Sequence, residues 1–519
     1  MSLSNKPGMI LSIILIVLLY SSTSFARNPC VPKDFNKGGT VCVCNSTYCD
    51  TIEPADKVAA GKFLIYSSSI DGLRLEKSVG NFSNSTIPSG VKFTVNRNRT
   101  FQKVFGFGTA FTDSAGLNLL KLNNTEAQDA LLKSYFSSEG IELNFGRVPI
   151  GGCDFSTRTY TYDDSENDTS LSNFNLTSED FEYKIPIIKR AQEISGKPLK
   201  LVASAWSAPP WMKTNNDFSG FGFLHEEFFA TWAKYHIMFL DEYKNNDLKF
   251  WGLTTGNEPL NGIIPINRFN SLGWSPQAHR DWIANNLGPQ LRNSQHNATK
   301  LIALDDQRFL LPWWIELVFQ NEDAKSYIDG IGVHWYWDTL YPAQSLTRTH
   351  LKYPEKFILG TEACVGDKPW EKEKVMLGSW ARGEMYTRDI IEDLNHWVTG
   401  WIDWNFALDK TGGPNWASNF VDSAIIVDEE NQEFYKQPMF YALGHFSKFI
   451  HEGSKRVHLG RQKGPSALQA VAFLRPDQAM VVVVFNGKGL DVPFILADPK
   501  RGTIRFTAAK HSVHTLVYW

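Results

Sequence analysis

Between about residues 103 and 405 the sequence repeats one pattern. A short apolar run stops at a polar or acidic residue, and an amphipathic stretch follows. The runs fall at 104–107, 145–150, 199–206, 250–255, 301–304, 331–335, 357–360 and 401–404. Continuous apolar runs of this length suit strands buried on both faces, and the stretches between them keep a helical period. Phe228, Trp232, Tyr235 and Phe239 form one such stripe, and Ile390, Ile391, Leu394 and Trp397 another. Eight units of this kind predict an α/β fold, a closed (β/α)8 TIM barrel. A doubly wound open sheet also alternates, but no Gly-X-Gly-X-X-Gly turn follows the first run.

What flanks the repeat has a different character. Residues 63–66 and 91–95 on one side, and 470–474, 480–485 and 512–518 on the other, read as strands separated by turn residues. The economical reading is one immunoglobulin-like β-sandwich built from both ends of the chain, with the barrel inserted. Before it, Lys6, the apolar run 9–20 and the small residues Ser24 and Ala26 read as a signal peptide over 1–26. The run is too short to span a bilayer, which needs about 20 apolar residues. Cys30, Cys42, Cys44 and Cys49 are crowded together, whereas Cys153 and Cys364 stand alone. In an oxidising compartment the four imply a small stapled module with three possible pairings, of which Cys30–Cys42 with Cys44–Cys49 is favoured. Zinc is the rival there, disfavoured because no histidine is near. Sequons at Asn45, Asn81, Asn84, Asn98, Asn123, Asn167, Asn175 and Asn297 fit the same secretory route. The expected division is 1–26 signal peptide, 27–56 plus 406–437 disulfide-bonded β-domain, 57–102 plus 454–519 sandwich, and 103–405 plus 438–453 barrel.

A net charge of −3 gives no electrostatic reason to expect nucleic acid as a partner. The 17 Trp and 17 Tyr supply flat faces with polar edges, which suit sugar rings. In a barrel the strand ends converge on one face. Here they carry Arg147, Asp154, Trp206, Asn257, Glu258, the run Asp305-Asp306-Gln307, His334, Tyr336, Glu362 and Trp404. Two carboxylic acids, Glu258 and Glu362, each end an apolar run, and such a pair suggests glycoside hydrolysis. The acidic and histidine residues are scattered over different strand ends, so no metal and no other cofactor is expected. Trp206 and Trp404 also suit core filling, His334 the bracing of a neighbouring carbonyl, and Asp305 and Asp306 the capping of the next helix. Cys364 is expected as an unpaired thiol near the site.

The ordered set of motifs resembles the lysosomal glucosylceramidases of glycoside hydrolase family 30. The set runs through Cys42-Val43-Cys44-Asn45, Trp206-Ser207-Ala208-Pro209-Pro210-Trp211, Asn257-Glu258-Pro259, Leu304-Asp305-Asp306-Gln307-Arg308, Val333-His334-Trp335-Tyr336, Glu362-Ala363-Cys364 and Gly412-Gly413-Pro414-Asn415-Trp416. The resemblance implies Glu258 as acid/base and Glu362 as nucleophile. It implies Asp154, Trp206, Asn257, Trp404 and Asn419 as sugar-binding residues, with Arg147, Gln307, His334 and Tyr336 in support. It further implies glucosylceramide as substrate at membrane surfaces and lysosomal residence. The partners implied are anionic lipid, a saposin-type activator and a lysosomal membrane receptor bound through 422–427, a stretch that also reads as a covered strand. Two rivals remain: a secreted glycosidase of the same fold acting on a polysaccharide, and a non-catalytic lysosomal binding protein.

Overall fold

The computed structural model describes residues 27–83, 90–462 and 468–519. The expected signal peptide and the sequon Asn84 lie outside the described residues. At the centre is a closed barrel of eight parallel strands in sequential order: β1 (Gly106–Ala110), β2 (Phe145–Ile150), β3 (Lys200–Ala205), β4 (Phe250–Thr254), β5 (Lys300–Gln307), β6 (Gly330–His334), β7 (Phe357–Glu362) and β8 (Val398–Asn405). The first strand starts two residues later than its apolar run, because Gly106 opens it and Phe105 turns down into the barrel floor.

That floor is apolar. Phe145, Val202, Ile302, Leu359 and Ile402 fill it, with Phe105, Trp251 and Phe357 packed beneath at ring separations of 5.2 to 5.6 Å. The helix Phe229–Asn245 buries Trp232, Tyr235 and Phe239 of the expected stripe. The helix Trp380–Asn395 buries Ile390, Ile391 and Leu394, whereas Trp397 follows it in a left-handed conformation at φ 78°. An apolar floor leaves charge to collect at the opposite, carboxyl end.

The two chain ends build one nine-stranded sheet. Strands Lys62–Ser69 and Ser512–Tyr518 pair near one end of it, and Val91–Lys103 pairs with Val492–Asp498 near the other. Residues from both halves, among them Phe63, Ile65, Phe93, Val482, Leu496 and Leu516, share one interior. The edges meet where Ser83 and Thr503 exchange backbone hydrogen bonds of 2.8 and 3.3 Å, so the sandwich is nearly closed. Closure of this kind removes exposed edges.

A separate five-stranded sheet joins Pro32–Asp34 and Thr40–Cys44 to Glu433–Lys436, Ile425–Asp428 and Leu408–Asp409. Disulfides connect Cys30 to Cys42 and Cys44 to Cys49, while Cys153 and Cys364 are free and buried. The stretch 421–428 is buried throughout, so 422–427 is covered and presents no surface to a receptor. Lys436 bridges this sheet to the N-terminal segment: its Nζ lies 2.7 Å from Asp50 Oδ1, and Tyr441 donates to Asp50 Oδ2 at 2.7 Å. Removing one partner of a buried pair strands the other charge, so Asp50→Ala should lower unfolding stability by about 3–5 kcal/mol. Denaturant titration measures this, with Asp50→Asn falling between the variant and the parent.

Candidate active site

The carboxyl ends of the barrel strands surround a cavity of about 240 Å³ lined by, among others, Asp154, Trp206, Glu258, Tyr336, Glu362 and Trp404. Beneath it lies Arg147, fully buried on β2. Its guanidinium divides its hydrogen bonds. Nη1 pairs with Glu362 Oε2, while Nη2 donates to Asn257 Oδ1 at 2.8 Å and Asp305 Oδ2 at 2.9 Å. Two indoles lie near the guanidinium, with Trp206 and Trp404 centroids 4.8 and 5.3 Å from Cζ. Trp206 and Trp404 themselves stack at 5.1 Å. A guanidinium suits this position because it presents several donors in one plane and keeps its charge when buried.

Glu362 ends β7 and accepts from the Tyr336 hydroxyl at 2.6 Å as well as from Arg147. Glu258 follows β4, and its Oε1 takes Gln307 Nε2 at 2.7 Å and His334 Nδ1 at 3.0 Å. Asn261 Nδ2 bonds its other oxygen. The backbone of Glu258 lies in the left-handed region at φ 43° and is held there by its N–H, which donates to Asp305 O at 2.9 Å. Strained backbone of this sort persists only where its surroundings over-determine it. One carboxylate oxygen of Glu258 and one of Glu362 lie within 4.8 Å of each other. The two residues are only 8% and 7% exposed.

Two β-bulges aim these groups. In β5 the register with β6 slips between Leu304 and Asp306, and both Leu304 and Asp305 take positive φ. In β7 it slips between Gly360 and Glu362, which sets Glu362 beside His334. A bulge turns an additional side chain inward, which a regular pleat would not do. Gly332 lets the chains close up here, since a Cβ on it would lie 3.2 Å from Asp305 Cα.

Asp305 is therefore no helix cap. It receives Arg147, Ser204 Oγ at 2.7 Å and His334 Nε2 at 3.1 Å, and the short helix Arg308–Leu310 has no side-chain cap. Nor does His334 brace a carbonyl: it links Glu258 to Asp305 through its two nitrogens. Burial opposes charge on both, but the opposite charges prevail. Arg147 and His334 hold the Asp305 carboxyl far below the usual range, and Glu362 and Asp305 raise the His334 imidazole to about 10. Burial pushes Glu362 upward while His334, Arg147 and Tyr336 pull it back. Asp154 is raised to about 7 by burial, and its Oδ2 accepts from Asn419 at 3.0 Å and Asn415 at 3.3 Å.

The other residues named from sequence are placed unevenly. Trp206, Trp404, Asn419, Gln307 and Tyr336 line the cavity. Asn257 is buried, and its oxygen is taken by Arg147. Cys364 lines the cavity 3.4 Å from the Tyr336 hydroxyl, and burial raises its thiol, so it is protonated and inert as a nucleophile. Ser204 went unread, and Asp306, which also suited a helix cap, lines the cavity with Asn261. Ser204 shares the inward face of β3 with Trp206 two residues on, and that period-2 signal marks it. Glu258, His334 and Glu362 approach closely enough to hold a metal. The donor set is already engaged, since both His334 nitrogens meet carboxylates, Nδ1 at Glu258 and Nε2 at Asp305.

The charges set a pH window. The Asp305 pKa is depressed, so its stabilisation is complete above its unfolded value of about 3.9 and is lost as pH falls through the folded one. The His334 pKa is raised, so its contribution is complete below about 6.5 and is lost as pH rises toward 10. The melting-temperature gap between the parent and His334→Gln should thus be widest between about pH 4 and 6.5 and should close with rising pH, as read by calorimetry across that range.

Residues 104–450 match the glycosyl hydrolase family 30 TIM-barrel domain, and 453–516 match the family 30 beta sandwich domain. The chain is 47% identical over 502 residues to the lysosomal acid glucosylceramidase of Mus musculus, covering 96% of this chain and 97% of that protein. It is 41% identical over 518 residues to putative glucosylceramidase 4 of Caenorhabditis elegans, covering 98% of each. The crystal structure of SrfJ from Salmonella typhimurium superposes with a TM-score of 0.81 at 27% identity, over 88% of this chain and 99% of that one. With its barrel, its sandwich and nearly its whole length matched, the chain belongs to glycosyl hydrolase family 30.

Proposed function

We propose that the protein is a retaining β-glucosidase that hydrolyses glucosylceramide to glucose and ceramide at acidic pH. One observation carries the chemistry: two carboxyl groups approach within 4.8 Å at a cavity floor. Retaining glycosidases keep theirs about 5 Å apart, whereas inverting ones leave room for a water. The lipid substrate is carried by similarity along the whole chain to a glucosylceramidase.

The surroundings distinguish the two groups. Glu362 faces a guanidinium and a phenol, a setting that favours the carboxylate. Glu258 meets no guanidinium; the neutral amides of Gln307 and Asn261 and the His334 imidazole hold its carboxyl in place to deliver a proton. Glu362 attacks the anomeric carbon, the bond to the ceramide oxygen breaks, and the Glu258 proton passes to that oxygen. Glu258 then takes a proton from water, whose oxygen displaces Glu362 and frees glucose with retained configuration.

Asp154 with Asn419 and Asn415 presents an acceptor and amides to sugar hydroxyls, and Trp206 and Trp404 supply an apolar wall. Asn257, pinned by Arg147 through its oxygen, has its amide N–H groups left for the 2-hydroxyl. We further propose a lysosomal location, with anionic lipid and a saposin-type activator as partners at the membrane surface. Among the described residues no helix is long and apolar enough to cross a membrane.

Glu362→Gln should abolish covalent labelling by a cyclitol epoxide and lower kcat by at least about 10⁴-fold. Glu258→Ala should lose lipid turnover yet recover hydrolysis of an activated aryl glucoside when azide is added, since an activated leaving group needs no acid. Cleavage of a β-glucan with glucosylceramide untouched, with or without anionic lipid, would reject the lipid assignment.

A further inference from the structure

A second cavity, of about 170 Å³, adjoins the first through Tyr336 and Asp367. It is built on a surplus of carboxylates. Arg308, almost fully buried, pairs with Asp338 at 2.9 Å, Glu392 at 2.7 Å and Asp393 at 3.4 Å. Asp389 stands beside them, its Oδ2 accepting from Trp401 Nε1 at 2.9 Å. One oxygen each from Asp338, Asp389 and Asp393 lies within 4.8 Å of the other two.

Three carboxyl groups thus share one guanidinium in contact, and a fourth, Asp389, stands beside them. The remaining charges around the cavity are Arg388 on the helix and Asp367, Lys368 and Glu371 after β7. They do not restore balance: Lys368 is engaged by Asp367 and by the Tyr336 carbonyl. The second observation is Asp338 itself. Its side chain is 8% exposed, Oδ2 is taken by Arg308, and Oδ1 is buried with no hydrogen-bond partner. An acceptor in that state, facing further carboxylates, calls for a proton between them.

Asp338 lies two residues beyond Tyr336 on the loop after β6. Arg308 grips the same loop through the carbonyls of Asp338, at 2.6 Å, and Tyr341, at 2.6 and 3.0 Å. We propose that a proton shared between Asp338 and Asp389 docks this loop and so holds the Tyr336 hydroxyl against Glu362, which makes Asp338 and Asp389 positioning residues for the reaction. The bearing on turnover rests on Glu362 being the nucleophile; the docking itself does not.

The sign follows from the environment. Burial, reinforced by neighbouring carboxylates, raises Asp338 and Asp393 well above the ordinary range, and burial brings Asp389 to about 6. Groups raised in the docked state bind protons there more tightly than in the open state. The docked loop is therefore favoured below about pH 6 and loosens above it, when like charges repel.

Hydrogen exchange of the loop amides 335–341, corrected for intrinsic rates, tests this without any substrate. Protection in the parent should fall at least about tenfold between pH ~5 and ~7.5. Asp389→Asn, whose amide donates to Asp338 at any pH, should keep its protection across that range. Its kcat at pH ~5 should stay near the parent's with KM unchanged, and its kcat at pH ~7 should exceed the parent's several-fold. Parental protection that does not change with pH overturns the proposal, whether or not the variant folds. A variant that loosens as the parent does also overturns it. Loss of protection at pH ~5 on treatment with EDTA would put a metal ion in place of the proton and overturn it too. If docking behaves as expected while Glu362→Gln still takes up the epoxide, the nucleophile assignment fails and the latch stands.

Discussion

The buried guanidinium of Arg147 is the interaction on which the catalytic end of the barrel depends. A charge this deep is tolerated only when paired and hydrogen-bonded. Its partners, Asp305, Asn257 and Glu362, come from β5, the end of β4 and β7, so satisfying one side chain ties three strands together. His334 then extends the network from Asp305 to Glu258. Counted together, Glu258, Asp305 and Glu362 carry three negative charges against the two of Arg147 and His334. Asp306, raised to about 7 by its burial and by Glu258, adds to the surplus, so the network retains protons.

The apolar floor and the charged roof are two halves of one arrangement. Phe105, Phe145, Trp251 and Phe357 seal the barrel from below, which keeps water away from the ion network and strengthens it. The small sheet backs the cavity wall, since its Leu408 and Ile426 share one apolar cluster with Trp206, Trp404 and Cys364. The small sheet is clamped by Asp50, Lys436 and Tyr441, and the sandwich is closed by the Ser83–Thr503 bridge. Both consolidate the chain ends around a barrel whose own termini are far apart in sequence.

Much of this was legible beforehand. The eight apolar runs correspond to eight strands because a strand buried on both faces must be apolar almost throughout. Glu258 and Glu362 stood out because each interrupts such a run where it should end. Asp305 stays open between site and helix cap for the opposite reason: in the run Leu304-Asp305-Asp306-Gln307 neither aspartate is distinguished by pattern. Only a bulge, with two consecutive residues at positive φ, selects the first for the barrel interior. The stretch 422–427 reads equally as surface or strand, and burial by the small sheet decides it.

Sequence by itself determined the class of fold, the carboxylate pair and the compartment-like signals of cysteines and sequons, since each depends on local composition or on short-range period. Tertiary structure alone decided how the charges are shared. Which carboxylate meets Arg147, which histidine nitrogen meets which acid, and that Asp338 faces Asp389 across 51 positions of sequence all depend on register and bulges. Those are properties of strand pairing between distant segments, and no local pattern encodes them.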